Sequence, residues 1–343
     1  MQGKQYSGAR VRAARGVAFA RQAGRSLRAL ALALGLGTAM AAQAAYPERP
    51  IQIVISFPPA GAADVMARAV GQKLSEELKQ SVVVENRPGG GGGIGMTVAA
   101  RAQPDGYTVY LAAVTNLAIA ASIYKSQQSN LAADFVPIGG VGIAPHVLVV
   151  PATLPVNNVA ELIAYIKKSP GQYNFASQGT GTLSHLESEL FTMKAGLDMV
   201  HVPYKGSSQA LPDVISGRSS MFFDSIPGSM ALVKSGKLKA LAVGSSRRAA
   251  LLPDVPTLGE AGLSGIEADN LFGLVAPKGT PQQAIDTITA ALEKVLALPD
   301  LKSALAAQGA ELRFMPAAAL GAAIVQETRS WGEVVSAAKV EPQ

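Results

Sequence analysis

The sequence predicts an α/β protein of two lobes joined by two crossings of the chain. Short runs that alternate every second residue recur between longer runs with apolar spacing of three and four, which is the pattern of βαβ units and mostly parallel sheets. The chain has 343 residues, a length suited to two lobes of ordinary size. The central block of alternating elements also lies between an N-terminal strand–helix–strand and a set of C-terminal helices, so that both ends belong to one lobe.

The first strand is expected over 51–57, where Ile51, Ile53, Ile55 and Phe57 alternate. Pro58-Pro59 ends it, because proline cannot donate to a ladder and restricts the residue before it. Asp64 stands where an N-cap belongs, and Met66, Val70, Leu74 and Leu78 then mark the apolar seam of a helix over 64–79. Further strands are expected over 82–85, 108–112, 146–151, 173–177, 199–203, 220–224, 239–244 and 272–277. Helices are expected over 159–168, 184–195, 208–216, 228–235, 281–297, 301–307 and 317–338. Residues 45–148 with 273–343 make the first lobe, and 149–272 the second.

Residues 1–44 read as a secretory leader. Lys4, Arg10, Arg12, Arg15, Arg21, Arg25 and Arg28 form its basic region, 29–40 its apolar region, and Ala42-Gln43-Ala44 a small-residue cleavage site, with the cut after Ala44. The apolar run is too short for a bilayer span. Without the leader, 23 Lys and Arg face 24 Asp and Glu, so the basic balance of the whole chain belongs to the leader. No dense basic stripe with interleaved aromatics remains, which argues against nucleic acid as a partner. The chain has no cysteine, which excludes thiol catalysis and Cys–zinc sites.

Ala60-Gly61-Ala62-Ala63, between the first strand and its helix, has no side chain larger than a methyl. Backbone N–H groups at such a helix start approach a ligand closely and carry partial positive charge, which suits a carboxylate. The segment from Ser177 through Gln178, Gly179, Thr180, Gly181, Thr182 and Leu183 to Ser184 repeats that logic after the strand over 173–177. Ser184 and Glu187 have capping-box spacing. Two readings remain for this loop, a second carboxylate clamp or a well-capped helix with a polar loop. Asp224 ends a strand and either accepts from a ligand or caps the next helix.

Other signals are weaker. Gly90-Gly91-Gly92-Gly93-Ile94-Gly95 matches G-x-G-x-x-G, but Glu85-Asn86-Arg87-Pro88 separates it from the strand and no acid follows at the right distance. A mobile loop that turns close to another backbone fits it better than a dinucleotide site. His185 and Glu189 lie one helical turn apart, yet His146 and His201 sit near strands with no acidic cluster, so no metal set is expected and His185 reads as a donor near the cap. Ser184 and His185 are helical neighbours that do not face each other, and no nucleophile elbow is present. No catalytic residue and no cofactor are expected.

Taken in order, several segments resemble the Bug receptors, the substrate-binding proteins of tripartite tricarboxylate transporters. They are Tyr46-Pro47 with Pro50, Phe57-Pro58-Pro59, Asp64, Val84-Glu85-Asn86-Arg87-Pro88-Gly89, Pro104-Asp105-Gly106-Tyr107, the Ser177 to His185 loop, His201-Val202-Pro203-Tyr204-Lys205-Gly206, Phe223-Asp224, Pro253-Asp254-Val255-Pro256-Thr257 and Trp331. The resemblance implies a periplasmic binding protein of type II topology, two α/β lobes joined by two crossover strands. Such a protein closes on a small carboxylate, presents it to membrane permease subunits and is expected to be monomeric. Its first contact loop falls on Phe57, Pro59, Ala60, Gly61, Ala62 and Asp64, its second on Ser177, Gly179, Thr180, Gly181, Thr182 and Ser184 with His185 beside it, and its strand-end acid on Asp224.

The family's Gly-Gly-Ala-Thr-Asp turn is here Ala60-Gly61-Ala62-Ala63-Asp64, and its Thr-Ser-Gly-Thr-like segment is Ala113-Val114-Thr115-Asn116, which keeps Thr115 as a contact. The lost hydroxyls predict a drier pocket and a ligand with a more apolar body than citrate. An enzyme using the same cleft and a periplasmic sensor that signals to a membrane kinase are the rival functions.

Overall fold

In the computed structural model, residues 46–124, 128–338 and 340 are described, and the expected leader lies outside them. β1 (Ile51–Ile55) is buried at every position but Gln52, because it pairs on both edges. β2 (Val82–Asn86) and β3 (Thr108–Ala113) flank it in parallel. The intervening helix α1 (Ala62–Leu78) buries Met66, Val70 and Leu74. Gly71 lets it close on the sheet, since a Cβ there would meet Val82 Cγ1 at 3.4 Å. The N-cap is Gly61, not Asp64. Asp64 lies in the first turn and accepts the Ala60 N–H at 3.1 Å.

The glycine run is not a loop throughout. Gly90–Gly92 form a 3-10 turn, and Gly93 begins α2 (Gly93–Ala100). Gly95 packs directly on the end of β1, where a Cβ would lie 2.8 Å from Ser56 Cα. α3 (Val114–Ile123) follows β3 and has no counterpart in the sequence reading. Eight of its ten residues are buried, so it has no polar face and no helical period to detect. α4 (Leu131–Asp134) is one turn capped by the Asn130 side chain.

β4 (Phe135–Pro151) is 17 residues long and begins well before the expected 146. Its first part pairs antiparallel with β9 (Asp269–Pro277) and β10 (Glu311–Pro316). From His146 onward it pairs antiparallel with β7 (Met221–Ser225) and β8 (Leu238–Val243). Two sheets therefore share one strand. The first runs β2-β1-β3-β9-β4-β10, and the second continues from β4 through β7 to β5 (Tyr173–Ser177) and β6 (Met199–Pro203), with β8 on β4's other side. Parallel pairing is confined to β1, β2 and β3 in one sheet and β5, β6 and β7 in the other. Every strand that pairs with β4 is antiparallel to it, which the expectation of mostly parallel sheets did not include.

α5 (Val159–Lys167), α6 (Leu183–Ala195), α7 (Ser207–Ile215) and α8 (Ile226–Lys234) accompany the second sheet, and α9 (Gln282–Ala297), α10 (Pro299–Ala306) and α11 (Ala317–Ala337) follow the return of the chain. One core gathers Val54, Met96, Tyr110, Leu117, Val275 and Leu320. Phe175, Phe191 and Phe223 centre another, joined by Ile119 and Ile123 from α3 and Val335 from α11. Burying each such side chain contributes about 1.5–3 kcal/mol. The two passages between sheets touch, with the Gly244 N–H on His146 O at 2.8 Å and the Ala268 N–H on Gly244 O at 2.6 Å. No helix among the described residues is long and apolar enough to cross a membrane.

Candidate ligand-binding cleft

A narrow recess opens between the first and second sheets. From the β1 side it is lined by Phe57, Pro58 and the start of α1, Gly61 to Ala63. Asn116 lies in the first turn of α3, Gln178 and Ser207 come from the second sheet's loops, and Ser225 closes β7. Asn270 and Phe272 reach it from β9. Among these described residues there is no Lys, Arg or His, so positive potential must come from the backbone.

Three helix starts border the recess, although Pro227 in the first turn of α8 has no N–H to offer and the Asp224 carboxylate lies beside the α7 and α8 starts. The N-caps Gly61 of α1, Gly206 of α7 and Ser225 of α8 make no side-chain cap hydrogen bond. Gly61, Ser207 and Ser225 all line the cavity. The first N–H groups of a helix lack intrahelical acceptors, and each helix start carries roughly half a positive charge. Ser225 is 1% exposed and its hydroxyl has no protein partner. An arrangement of dipoles of this kind suits an anion.

Asp64 does not face this cavity. Its carboxylate takes two bonds from Arg68 Nε, at 2.9 and 3.0 Å, and one from Asn86 Nδ2 at 3.0 Å, while Asn86 also donates to Phe57 O. Burial alone would raise its pKa, but the Arg68 and Asn86 bonds hold it below the ordinary carboxylate value. With Ala60 in the left-handed region at φ 68°, Asp64 fixes the turn and leaves the amides of Ala62 and Ala63 free. Pro59 and Ala60 are exposed on the far side of that turn.

The second loop behaves differently from a clamp. Five of its amides are engaged within the protein: Gln178 N–H on Ser184 Oγ, Gly179 N–H on Ser177 Oγ, Gly181 N–H on His185 Nδ1, Thr182 N–H on Gly179 O and Leu183 N–H on Asn116 Oδ1. The N-cap of α6 is Thr182, which accepts from the His185 N–H. The expected Ser184–Glu187 box is absent, because Ser184 Oγ donates to Phe223 O and Glu187 turns to His146. His185 accepts near the cap instead of donating there. Gly179 and Thr180 border an adjoining hollow of about 170 Å³ together with Gly89 to Gly92. Above it Tyr124 Oη donates to Thr180 O at 3.1 Å, and Gly181 meets the Tyr124 ring.

Thr115 is fully buried and committed elsewhere. Its hydroxyl bonds Glu327 Oε2 at 2.9 Å and accepts the Leu271 N–H at 3.1 Å, tying α3 to α11 and β9. Asp224 is fully buried behind the wall and does not line the cavity. Desolvation raises its pKa against the lowering effect of Ser207 and Gln178. The lining residues outside the two expected loops are Ser207 and Ser225, each at an uncapped helix start, with Asn116, Asn270 and Phe272, while Gln178 lies within the second loop. The first two carry a weak signal, a small polar residue between strand and helix. The others carry none.

The histidines also gather acids that the sequence reading did not place. Ligand atoms of His185, Glu189 and His201 lie within 4.8 Å of one another. Their lone pairs are engaged, however, by the Gly181 N–H on His185 Nδ1 and by Ser177 Oγ at 2.7 Å from His201 Nε2. The two imidazoles stack face to face at 4.1 Å instead of converging on a point. Burial, then the neighbouring His185, push the His201 pKa down to about 4. His146, where β4 changes sheets, bonds Glu187 at 2.6 Å with both groups buried. Burial would lower the His146 pKa, but the Glu187 carboxylate raises it.

Comparison with known proteins agrees with this architecture. The family model for the tripartite tricarboxylate transporter family receptor matches residues 66–340. Protein BugT of Bordetella pertussis is 37% identical over 291 residues, covering 84% of this chain and 89% of the relative. The structure of the periplasmic binding protein BugD is 36% identical with a TM-score of 0.83, covering 87% of this chain and all of that one, 100%. R. palustris Rpa4515 with adipate is 31% identical with a TM-score of 0.84, at 87% and 100% coverage. The type II periplasmic binding fold expected from the sequence is therefore the fold of its relatives, and the chain belongs to the Bug family of tripartite tricarboxylate transporter receptors, which are solute-binding proteins.

Proposed function

We propose that the protein is an exported receptor that holds a small carboxylate between two lobes and delivers it to the permease subunits of a tripartite transporter. The observation that carries this reading is the convergence of three uncapped helix starts on a cavity whose described lining has no cationic side chain. The adipate held by the similar Rpa4515 supports the ligand class. Phe57 and Phe272 in the lining favour a ligand with an apolar body over citrate. The leader is removed after Ala44, and the released protein works as a monomer in the periplasm. The lobes hinge where His146 and the Gly244–Ala268 contact lie side by side, and the Tyr124–Thr180 bond belongs to the closed form. Closure excludes water and strengthens the dipole contacts.

Isothermal titration of the purified protein with mono-, di- and tricarboxylates tests the reading. Binding of at least one mono- or dicarboxylate with a matching rise in melting temperature is expected, since a ligand that binds only the native state stabilises it. Tight citrate binding with none to aliphatic or benzoate-like acids overturns the apolar-body expectation, and no response to any carboxylate overturns the ligand class.

A further inference from the structure

Three carboxamides line the cavity, and two of them, Asn116 and Gln178, are each locked in one orientation by partners of fixed polarity, while the buried Asn270 Oδ1 has no partner among the described residues. Asn116 Oδ1 accepts the Leu183 N–H at 2.8 Å. A peptide N–H can only donate, so the oxygen side of this amide is committed and Nδ2 is the group left to the cavity. Gln178 is held the other way round. Its Nε2 donates to Asp224 Oδ1 at 2.8 Å and to Ser207 Oγ at 3.1 Å. Ser207 in turn donates its one hydroxyl hydrogen to the same Asp224 oxygen at 2.5 Å, so towards Gln178 it can only accept. Both amide hydrogens of Gln178 are engaged in a closed ring of three side chains. Its Oε1 has no protein hydrogen-bond partner, while the residue itself is 6% exposed and lines the cavity.

Resting on the carboxylate reading, we infer that the cavity selects polarity: it takes a carboxylate whose other polar end carries a hydrogen-bond donor (an amide, hydroxyl or ammonium group) in preference to a second ionised carboxylate. The donors of the α1 start and Asn116 Nδ2 receive the acid. Gln178 Oε1, with the Asp224 carboxylate directly behind its amide, meets the other end. A second carboxylate there would set oxygen lone pairs against an acceptor that cannot turn, and an unmatched polar pair in a dry site is strongly disfavoured. Asp224 is a positioning residue in this scheme. It does not touch ligand, and acts by deciding which end of the Gln178 amide faces inward.

Matched probes test this. Titration at pH 7 with succinate against succinamate, and adipate against adipamate, measures the preference for a donor end at two lengths. In the native sequence the half-amide is expected to bind at least about tenfold more tightly than the diacid of the same length. Gln178→Met removes the acceptor and should bring the ratio towards one. Asp224→Ala releases the amide and should lower the ratio as well, whatever it does to overall affinity or folding. Equal or tighter binding of the diacids by the native protein, or an undiminished ratio in a folded Gln178→Met variant, overturns the inference while leaving the carboxylate reading intact. If none of the four probes nor any other carboxylate binds, the carboxylate reading falls and this inference with it.

Discussion

The loop after β1 and the loop after β5 look alike in sequence, each a strand end followed by small and polar residues and a helix, yet the fold uses them in opposite ways. In the first, the side chains that could cap α1 are methyls, and Asp64 is drawn away to Ala60, Arg68 and Asn86, so the helix start is left bare. In the second, the hydroxyls of Ser177, Thr182 and Ser184 and the oxygen of Asn116 take up the amides. A loop rich in hydroxyls is therefore a poor anion site, because it satisfies itself. The bare loop leaves its helix start without a side-chain cap.

Placing an acid in the bare loop gives the largest contrast. Gly61 has an ordinary φ of −87° and at least 3.8 Å around a built Cβ, so Gly61→Asp should fold. It should weaken carboxylate binding by more than about a hundredfold, because a like charge displaces the anion. Titration calorimetry with circular dichroism as a fold control reads both. Unchanged affinity in a folded variant would remove α1 from the site.

The matching change in the self-satisfied loop should act on stability instead. Gly179 has φ 132°, and a Cβ would lie 3.0 Å from Tyr204 O. Gly179→Ala is expected to lower unfolding free energy by about 1–3 kcal/mol in urea melts. A loss of ligand affinity with no change in stability would break the comparison.

The pH response should also belong to the second loop. His201 stays neutral down to about 4 in the folded protein but protonates near 6.5 when unfolded. Its depressed pKa contributes stability that is present above 6.5 and is lost as pH falls towards 4. After allowance for partial exposure the effect is on the order of 1–2 kcal/mol. Melting temperatures of the native protein and His201→Gln across that window check it, and the variant should show the flatter slope.

Smallest is the lip between the loops. Tyr124→Phe removes one bond to Thr180 O and should weaken ligand binding by roughly two- to tenfold, corresponding to about 0.5–1.5 kcal/mol. The change should fall mainly on the dissociation rate in stopped-flow or surface plasmon measurements, because the bond would open when the ligand leaves.

Legibility followed local periodicity. β1 with α1, and β5 with α6, were read almost to the residue, because a two-residue alternation gives way to a helical seam at a turn. α3 was invisible, since Leu117, Ala118, Ile119 and Ala120 are buried in succession and leave no solvent face. The first part of β4 was hidden by Pro137, Gly139, Gly140 and Gly142, which suit a strand whose register shifts against β9. Of the residues that line the recess, the Gly61 turn was expected from the small residues that a close approach requires, and Phe57 from the family resemblance. Asn270 and Phe272 were not, since nothing in their neighbours records which wall they reach.

By itself the sequence determined the α/β alternation, the small-residue turn before α1 and the family, because these depend on residues close together in the chain or on ordered segments of it. Only the tertiary structure decided that β4 serves both sheets, that the second loop closes on itself, and that Ser207, Ser225 and Gln178 meet the first loop across a cavity. The physical reason is that a hydrogen bond is exclusive: whether a donor is left for a ligand depends on which acceptor the folded chain brings to it, and those acceptors lie 29, 46 and 67 residues away.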